Sequence, residues 1–349
     1  MDSLNPDILF ERCGAAGVIT LNRPKALNAV THDMVRALAR QLAAWADDAA
    51  VTRVIITAAG ERAFSAGGDI RALYELGRAG HQDEMLAFWR DEYPLNTMIK
   101  RYPKPYVALI DGIVMGGGVG VSVHGSHRVA GDRFSFAMPE VGIGFFPDVG
   151  ATWFLPRMPG ELGTWTGLTG ERIKTADALA AGVATHHVRS ERFPDLTDAL
   201  CGDGPVDATL GAFAETPEPA TVRRAAIDRL FAGDRVEDIL GRLDAETGDD
   251  GGWAAAAAAA ISAKSPMSLK LALAQVRRGR HWSFEDCMRA EFRIVSRIVY
   301  GHDFYEGVRA VIVDKDNTPR WKPADLADAA DADVERHFAP LDSDELVLP

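Results

Sequence analysis

Along the first half of the chain, short β-branched runs alternate with stretches whose apolar side chains recur at three- and four-residue intervals. Residues 17–21 (GVITL) and 53–58 (RVIITA) predict strands. Between them Met34, Leu38, Leu42 and Trp45 fall on one face of a helix, and Thr31 is suited to cap its first turn. The unit then returns. Residues 105–113 (PYVALIDGI) predict a strand, 115–124 a helix opened by three glycines, and 128–130 and 135–138 further extended pieces. Such alternation implies an α/β core with parallel pairing and right-handed crossovers, ending near Val188.

Beyond residue 190 the pattern changes to helices with acidic and alanine-rich faces, including seven consecutive alanines from Ala254 to Ala260. Ser283 followed by Asp286 predicts the capped start of a long helix over 284–299, and the polar segment 315–323 (KDNTPRWKP) a terminator. No internal repeat is evident, and the acidic residues 325–349 are expected to be loosely held.

With 349 residues, 47% of them hydrophobic, the chain can bury a large core. Its formal charge of -12 and pI near 5.2 argue against a surface that neutralises nucleic-acid phosphates or anionic lipid, so any polyphosphate ligand must be held by a local cluster. The three cysteines, Cys13, Cys201 and Cys287, lack metal-ligand or redox spacing, and no disulfide framework is expected. His81, His124, His127, His186 and His187 likewise lack metal-ligand spacing, so no metal is expected. No apolar run approaches the ~18 residues of a membrane span. The N-terminal stretch MDSLNPDILFER has neither a secretory nor a transit-peptide pattern, which predicts a cytoplasmic location.

Two glycine-bearing segments follow strands: 64–71 (FSAGGDIR) and 115–120 (MGGGVG). Glycine lets a backbone N–H approach a ligand unobstructed, so the pair could aim two donors at one developing oxyanion, as acyl transfer requires. Either alone is as consistent with a turn or close packing; together they are more specific. Val121 excludes a dinucleotide fingerprint, no Gly-Lys-Ser/Thr follows, and His124 occupies the second-glycine position that a nucleophile elbow around Ser122 would need. Glu140 and Asp148 stand among Phe145, Phe146, Trp153 and Phe154. Partial desolvation there would raise their pKa values and suit them to proton transfer or nucleophilic attack, although spacing alone favours loop caps or ion-pair partners. Asp91 and Glu92, after an aromatic pair, read by themselves as a solvated helix end.

In order and spacing, NRPKALNA (22–29), FSAGGDI (64–70) and GGGVG (116–120) resemble the crotonase (enoyl-CoA hydratase/isomerase) superfamily. FWRDEYPLN, KPYVALIDGIVMGGGVGVSVHG, FAMPEVGIGFFPDVGATWFLPRM and GHDFYEGVRAVIVDKDNTPRWKP further resemble its branch of hydrolases acting on short 3-hydroxyacyl-CoA thioesters such as 3-hydroxyisobutyryl-CoA. The resemblance runs from about residue 17 to about residue 326.

It implies an α/β fold, a crotonase-like ββα spiral superhelix: residues 1–190 would be the core carrying CoA and the active site, and 191–349 a C-terminal helical region. Implied too are coenzyme A as part of the substrate, no other cofactor, and a homo-oligomer, trimer or hexamer. The oxyanion hole would be the N–H groups of Gly68 and Gly117, the catalytic acids Glu140 and Asp148, and the substrate contacts Glu92, Gly117, Glu140 and Asp148. Coenzyme A would meet Lys25, Ala26, Leu27, Ala66, Asp69 and Ile70. Hydratases of the superfamily carry one of two catalytic glutamates at the position of Gly120, the other aligning with Glu140, so water addition by paired glutamates is disfavoured. Ala151 and Thr152 stand where the branch has glycines, which predicts an altered acyl pocket. The implied reaction is thioester hydrolysis in valine catabolism, with Glu140 as nucleophile or as general base. An enoyl-CoA hydratase or isomerase and a non-catalytic acyl-CoA-binding protein are the alternatives.

Overall fold

The computed structural model describes residues 5–349; the first four residues of the N-terminal stretch lie outside the described residues. Among the described residues there are ten strands: β1 (Ile8–Cys13), β2 (Ala16–Leu21), β3 (Arg53–Ala58), β4 (Ala63–Ser65), β5 (Tyr106–Ile110), β6 (Ile113–Met115), β7 (His127–Ala130), β8 (Ser135–Ala137), β9 (Ile173–Lys174) and β10 (His186–His187). They form two sheets, ordered β1-β2-β3-β5-β7-β10 and β4-β6-β8-β9. Successive pairs β3/β4, β5/β6 and β7/β8 each place one strand in either sheet, and each pair is followed by a helix or helical turn. These are the turns of a ββα spiral. Pairing is parallel except at β1–β2 and β8–β9.

The step between sheets explains why one apolar run becomes two strands. Residues 105–113 break at Gly112, whose φ of +80° turns the chain and whose Cα lies so close to Arg62 that an added Cβ would meet its carbonyl at 2.7 Å. Helix α1 (His32–Asp47) is capped as expected, Thr31 Oγ1 accepting from the Met34 N–H at 3.2 Å. Helices α2 (Ile70–Arg78) and α3 (Gln82–Lys100) follow β4. The helix expected over 115–124 contracts to α4 (Gly117–Gly120), because Met115 ends a strand and Gly116 takes a φ of +44°.

All ten strands precede residue 188, and helices make up the remainder, among them Gly251–Ser262 with the alanine run, Pro266–Gly279 and Phe284–Ile298. Ser283 Oγ accepts from the Asp286 N–H at 3.1 Å at the start of the last of these. One hydrophobic cluster runs through both parts, joining Ile56, Tyr93 and Phe145 to Val276, Phe292 and Val295. A second covers the other face of the larger sheet, where Val18, Ile55 and Val107 meet Leu196 and Leu200. Residues 325–349 are better anchored than their acidity suggests: helix Asp331–Phe338 buries Val334 and Phe338, Leu346 is buried, and Arg293 holds Glu345 through both carboxylate oxygens. Among the described residues no helix is long and apolar enough to cross a membrane.

Candidate active site

The ends of β4 and β6 deliver the two glycine segments to one place. Gly67 takes a φ of +116° and Gly116 one of +44°, conformations that suit glycine. A Cβ added to Gly117 would lie 3.2 Å from the Gly68 nitrogen and 2.8 Å from Glu92 Oε1. The segments approach so closely because neither carries a side chain there. Gly117 opens α4, so its N–H has no intrahelical acceptor, and among the described residues neither it nor the Gly68 N–H donates to a protein group. Two free donors thus converge beside a carboxyl group, the arrangement an oxyanion hole requires.

Three acids surround this point. Glu140 begins the 3-10 turn Glu140–Ile143 after β8, Asp148 sits in the following loop, and Glu92 projects inward from α3. They are 7%, 5% and 1% exposed, so all three are withdrawn from water. Glu140 Oε2 and Glu92 Oε1 have no hydrogen-bond partner among the described residues, whereas Asp148 Oδ2 accepts from the Tyr93 hydroxyl at 3.0 Å. Burial raises the Glu140 pKa well above the carboxylate range, with the Asp148 charge adding to the effect. Burial, then Asp148 and Glu291, does the same to Glu92. Asp148 is pushed up to about 7 by burial, against the pull of its Tyr93 and Trp89 donors.

Glu92 is therefore not a solvated helix end. Asp91 points outward to Arg36 and His32, each at 2.7 Å, while the ~100° rotation between neighbouring helix residues carries Glu92 into the interior. The aromatic pair ahead of it lines the same pocket, with Trp89 stacked on Phe145 at a 5.6 Å centroid separation.

The acids and glycines face a cavity of about 940 Å³, whose wall also includes Lys25, Ala26, Leu27, Ala66, Asp69 and Ile70. The 22–29 loop is braced by Asn28, which accepts from the Arg23 N–H at 2.8 Å and donates to the Ala59 and Ala63 carbonyls, both at 2.9 Å. The Asp69 carboxylate caps α2 through the Ala72 N–H and pairs with Arg23 at 3.1 Å, so its side chain braces the rim. The rim also carries residues that the sequence did not single out: Lys264, Val311, Ile312, Lys315 and Asn317, from the helical part of the chain. With Lys25 and Arg71, Lys264 and Lys315 place cationic side chains at one mouth of a chain whose net charge is -12. The KDNTPRWKP segment read as a terminator contains two of the rim residues, Lys315 and Asn317.

Two neighbouring positions decide the chemistry further. A Cβ at Gly120 would meet Asn96 Nδ2 and the Val149 Cβ, both at 2.8 Å, so this position is filled by its neighbours and has no room for a glutamate. Ala151 and Thr152 are fully buried but do not line the cavity; they begin helix α5 (Ala151–Phe154), so the expected change in the acyl pocket does not arise from them.

A family model for enoyl-CoA hydratase/isomerase matches residues 16–338. The chain belongs to that family. Curated relatives extend the likeness over nearly its whole length: the mitochondrial 3-hydroxyisobutyryl-CoA hydrolase of Danio rerio is 47% identical, over 98% of this chain and 92% of the relative, and that of Homo sapiens 42%, over 97% and 90%. Solved structures carry the same fold. One described as a carnitinyl-CoA dehydratase from Mycobacterium thermoresistibile superposes with a TM-score of 0.93 at 46% identity, covering 98% of this chain and 99% of that one. An enoyl-CoA hydratase structure from Rhodobacter sphaeroides gives a TM-score of 0.88 at 39% identity, covering 98% and 100%. The crotonase-type spiral with its helical C-terminal region is thereby established.

The cytoplasmic location expected from the N-terminal stretch is overturned by the same relatives, which are named as mitochondrial. The earlier expectation rested on terminal composition, and targeting information is separable from the folded domain that these proteins share.

Proposed function

We propose that the protein hydrolyses 3-hydroxyisobutyryl-CoA to 3-hydroxyisobutyrate and free CoA, a step of valine catabolism. The single observation that carries this reading is the pairing of a filled position 120 with two buried acids, Glu140 and Asp148, set beside two unengaged N–H donors. Paired-glutamate hydration lacks its second glutamate, while acyl transfer has its oxyanion donors and its acids. The hydrolase names of relatives sharing 42% or more of the sequence agree with this.

In this mechanism the thioester carbonyl oxygen accepts from the Gly68 and Gly117 N–H groups, which favour the tetrahedral oxyanion over the planar ester. Each such donor typically lowers the barrier by ~3 kcal/mol. Glu140 either adds to the carbonyl carbon, expelling CoA thiolate and leaving a mixed anhydride for water to cleave, or removes a proton from water as it attacks. Asp148 orients the acyl hydroxyl or the water and assists proton movement towards the departing sulfur. Glu92 accepts from the 3-hydroxyl, which favours hydroxyacyl over plain acyl esters. Coenzyme A lies along the 25–27 and 66–70 segments and Lys264 and Lys315 face its phosphates. No cofactor beyond the substrate's own CoA enters the reaction. Residues 1–190 supply the reacting groups and 191–349 complete the rim, in a homo-oligomer, trimer or hexamer, that light scattering would reveal.

The structures named as a dehydratase and a hydratase favour a second reading, reversible loss of water from the same ester to give the α,β-unsaturated thioester. Mass spectrometry of products formed from 3-hydroxyisobutyryl-CoA separates the two: hydrolysis yields the free acid and CoA, dehydration yields methacrylyl-CoA with the thioester intact. Accumulation of the unsaturated ester would overturn the hydrolase reading.

A further inference from the structure

The loop that presents Asp148 is held in an unusual conformation by side chains outside the reacting set. Val149 has a φ of +52° and Gly150 one of +91°. A left-handed β-branched residue is sparsely populated and persists only where surrounding contacts over-determine it. Those contacts are all present. The His124 Nε2–H donates to the Val149 carbonyl at 2.7 Å, and Gln275 Nε2 donates to the Pro147 carbonyl at 2.5 Å. Glu291 accepts from the Gly150 N–H through Oε2 and from the Thr152 N–H through Oε1, both at 2.8 Å. Gly150 packs against the imidazole so tightly that a Cβ would sit 2.5 Å from it.

Glu291 is the least expected member. It is 0% exposed, on helix Phe284–Ile298, with no cationic partner among the described residues, and both of its oxygens are spent on the Gly150 and Thr152 N–H groups where the loop enters α5. Burying a carboxylate is costly, and an apolar residue would join the helix to the core with less penalty. Its two bonds act on the backbone on the C-terminal side of Asp148, His124 acts at the adjacent carbonyl, and Gln275 acts immediately before it. Burial pushes the imidazole down to about 3, so His124 is neutral and its single donor is committed to Val149.

We propose that Glu291, seconded by His124 and Gln275, is a positioning residue that locks the 147–152 loop so that Asp148 meets Tyr93 and faces the reacting carbonyl. The claim rests on the catalytic reading of Asp148. It makes the C-terminal helices part of the catalytic geometry, through contacts 139 and 141 residues apart in sequence.

The test is steady-state kinetics with 3-hydroxyisobutyryl-CoA on Glu291→Gln, His124→Phe, His124→Gln, Asp148→Asn and the double variant Asp148→Asn/Glu291→Gln, with thermal melts of each. Small misplacement of a catalytic group lowers turnover without loosening binding. Glu291→Gln and His124→Phe should therefore lower kcat by ~10- to 100-fold with KM within ~3-fold. His124→Gln, which keeps a donor, should recover part of the loss. The double variant should be no slower than Asp148→Asn alone, since Glu291 acts through Asp148. A folded Glu291→Gln protein with full kcat, an effect on KM alone, or losses that multiply in the double variant would each overturn the proposal. If Glu291→Gln does not fold, the two His124 variants decide it by the same criteria. Normal turnover in Asp148→Asn would instead remove the catalytic reading of Asp148, and the proposal with it.

Discussion

The Tyr93 hydroxyl donates to Asp148 Oδ2 across 3.0 Å between two buried side chains. This bond favours the charged form of Asp148 and partly opposes the burial that pushes its pKa up to about 7.

Tyr93→Phe removes that donor, so the Asp148 pKa rises further. If the ionised carboxylate is the working form, a one-unit rise from about 7 lowers the ionised fraction at pH 7 from about one half to about one tenth, so kcat there should fall by about 5-fold, and recover at higher pH as the acid limb of the profile moves alkaline. A pH profile whose limb stays in place, merely scaled down, would contradict the assigned interaction.

Asp148 also couples stability to pH. Its folded pKa of about 7 lies above the unfolded value near 3.8. Below 3.8 both states are protonated; between 3.8 and 7 the folded state binds the extra proton, so stability declines as pH rises through that window. Three units correspond to roughly 4 kcal/mol at most. Asp148→Asn should consequently melt several degrees above the parent at pH 8, with the gap closing towards pH 4, while turnover is lost. Calorimetry across that range checks it; a variant less stable at pH 8 would refute the unfavourable burial of this charge.

The cationic rim makes a separable prediction. Lys264→Ala and Lys315→Ala remove attraction for CoA phosphates without touching the acids, so KM should rise ~5- to 20-fold per residue with kcat held. Because Lys315 is exposed and Lys264 half-buried at the mouth, the effect should shrink as salt is raised from 20 to 300 mM, and more for Lys315 than for Lys264. A fall in kcat with unchanged KM would place them in some other role.

How much of this was legible in the sequence follows from how local each signal is. The Thr31 cap, the Met34–Leu38–Leu42–Trp45 face and strands β2 and β3 obey short periodicities, and the spiral followed from motif order. The strand β1 escaped because its Glu11 and Arg12 face solvent at a sheet edge, leaving no clear apolar run. The helix expected over 115–124 is longer than the strand ending at Met115 and the positive φ at Gly116 permit. The two glycine segments and the Glu140–Asp148 pair could be named from residue type, yet their convergence needed the sheets to bring β4 and β6 together. Glu92 was hidden by its neighbour: only the helix phase separates a surface Asp91 from a buried Glu92. Glu291 and Lys264 had no local signature, since what they do depends on helices packing back on a core built much earlier in the chain.

The most direct test of the central claim is release of free CoA thiol from 3-hydroxyisobutyryl-CoA and, in parallel, from crotonyl-CoA, by the parent protein and Glu140→Gln. Rapid thiol release from the hydroxyacyl ester, little from crotonyl-CoA, and a loss of at least ~1000-fold in Glu140→Gln with binding of the ester retained is the predicted result. Undiminished release in Glu140→Gln, or no release from the hydroxyacyl ester while the crotonyl double bond is consumed, would contradict it.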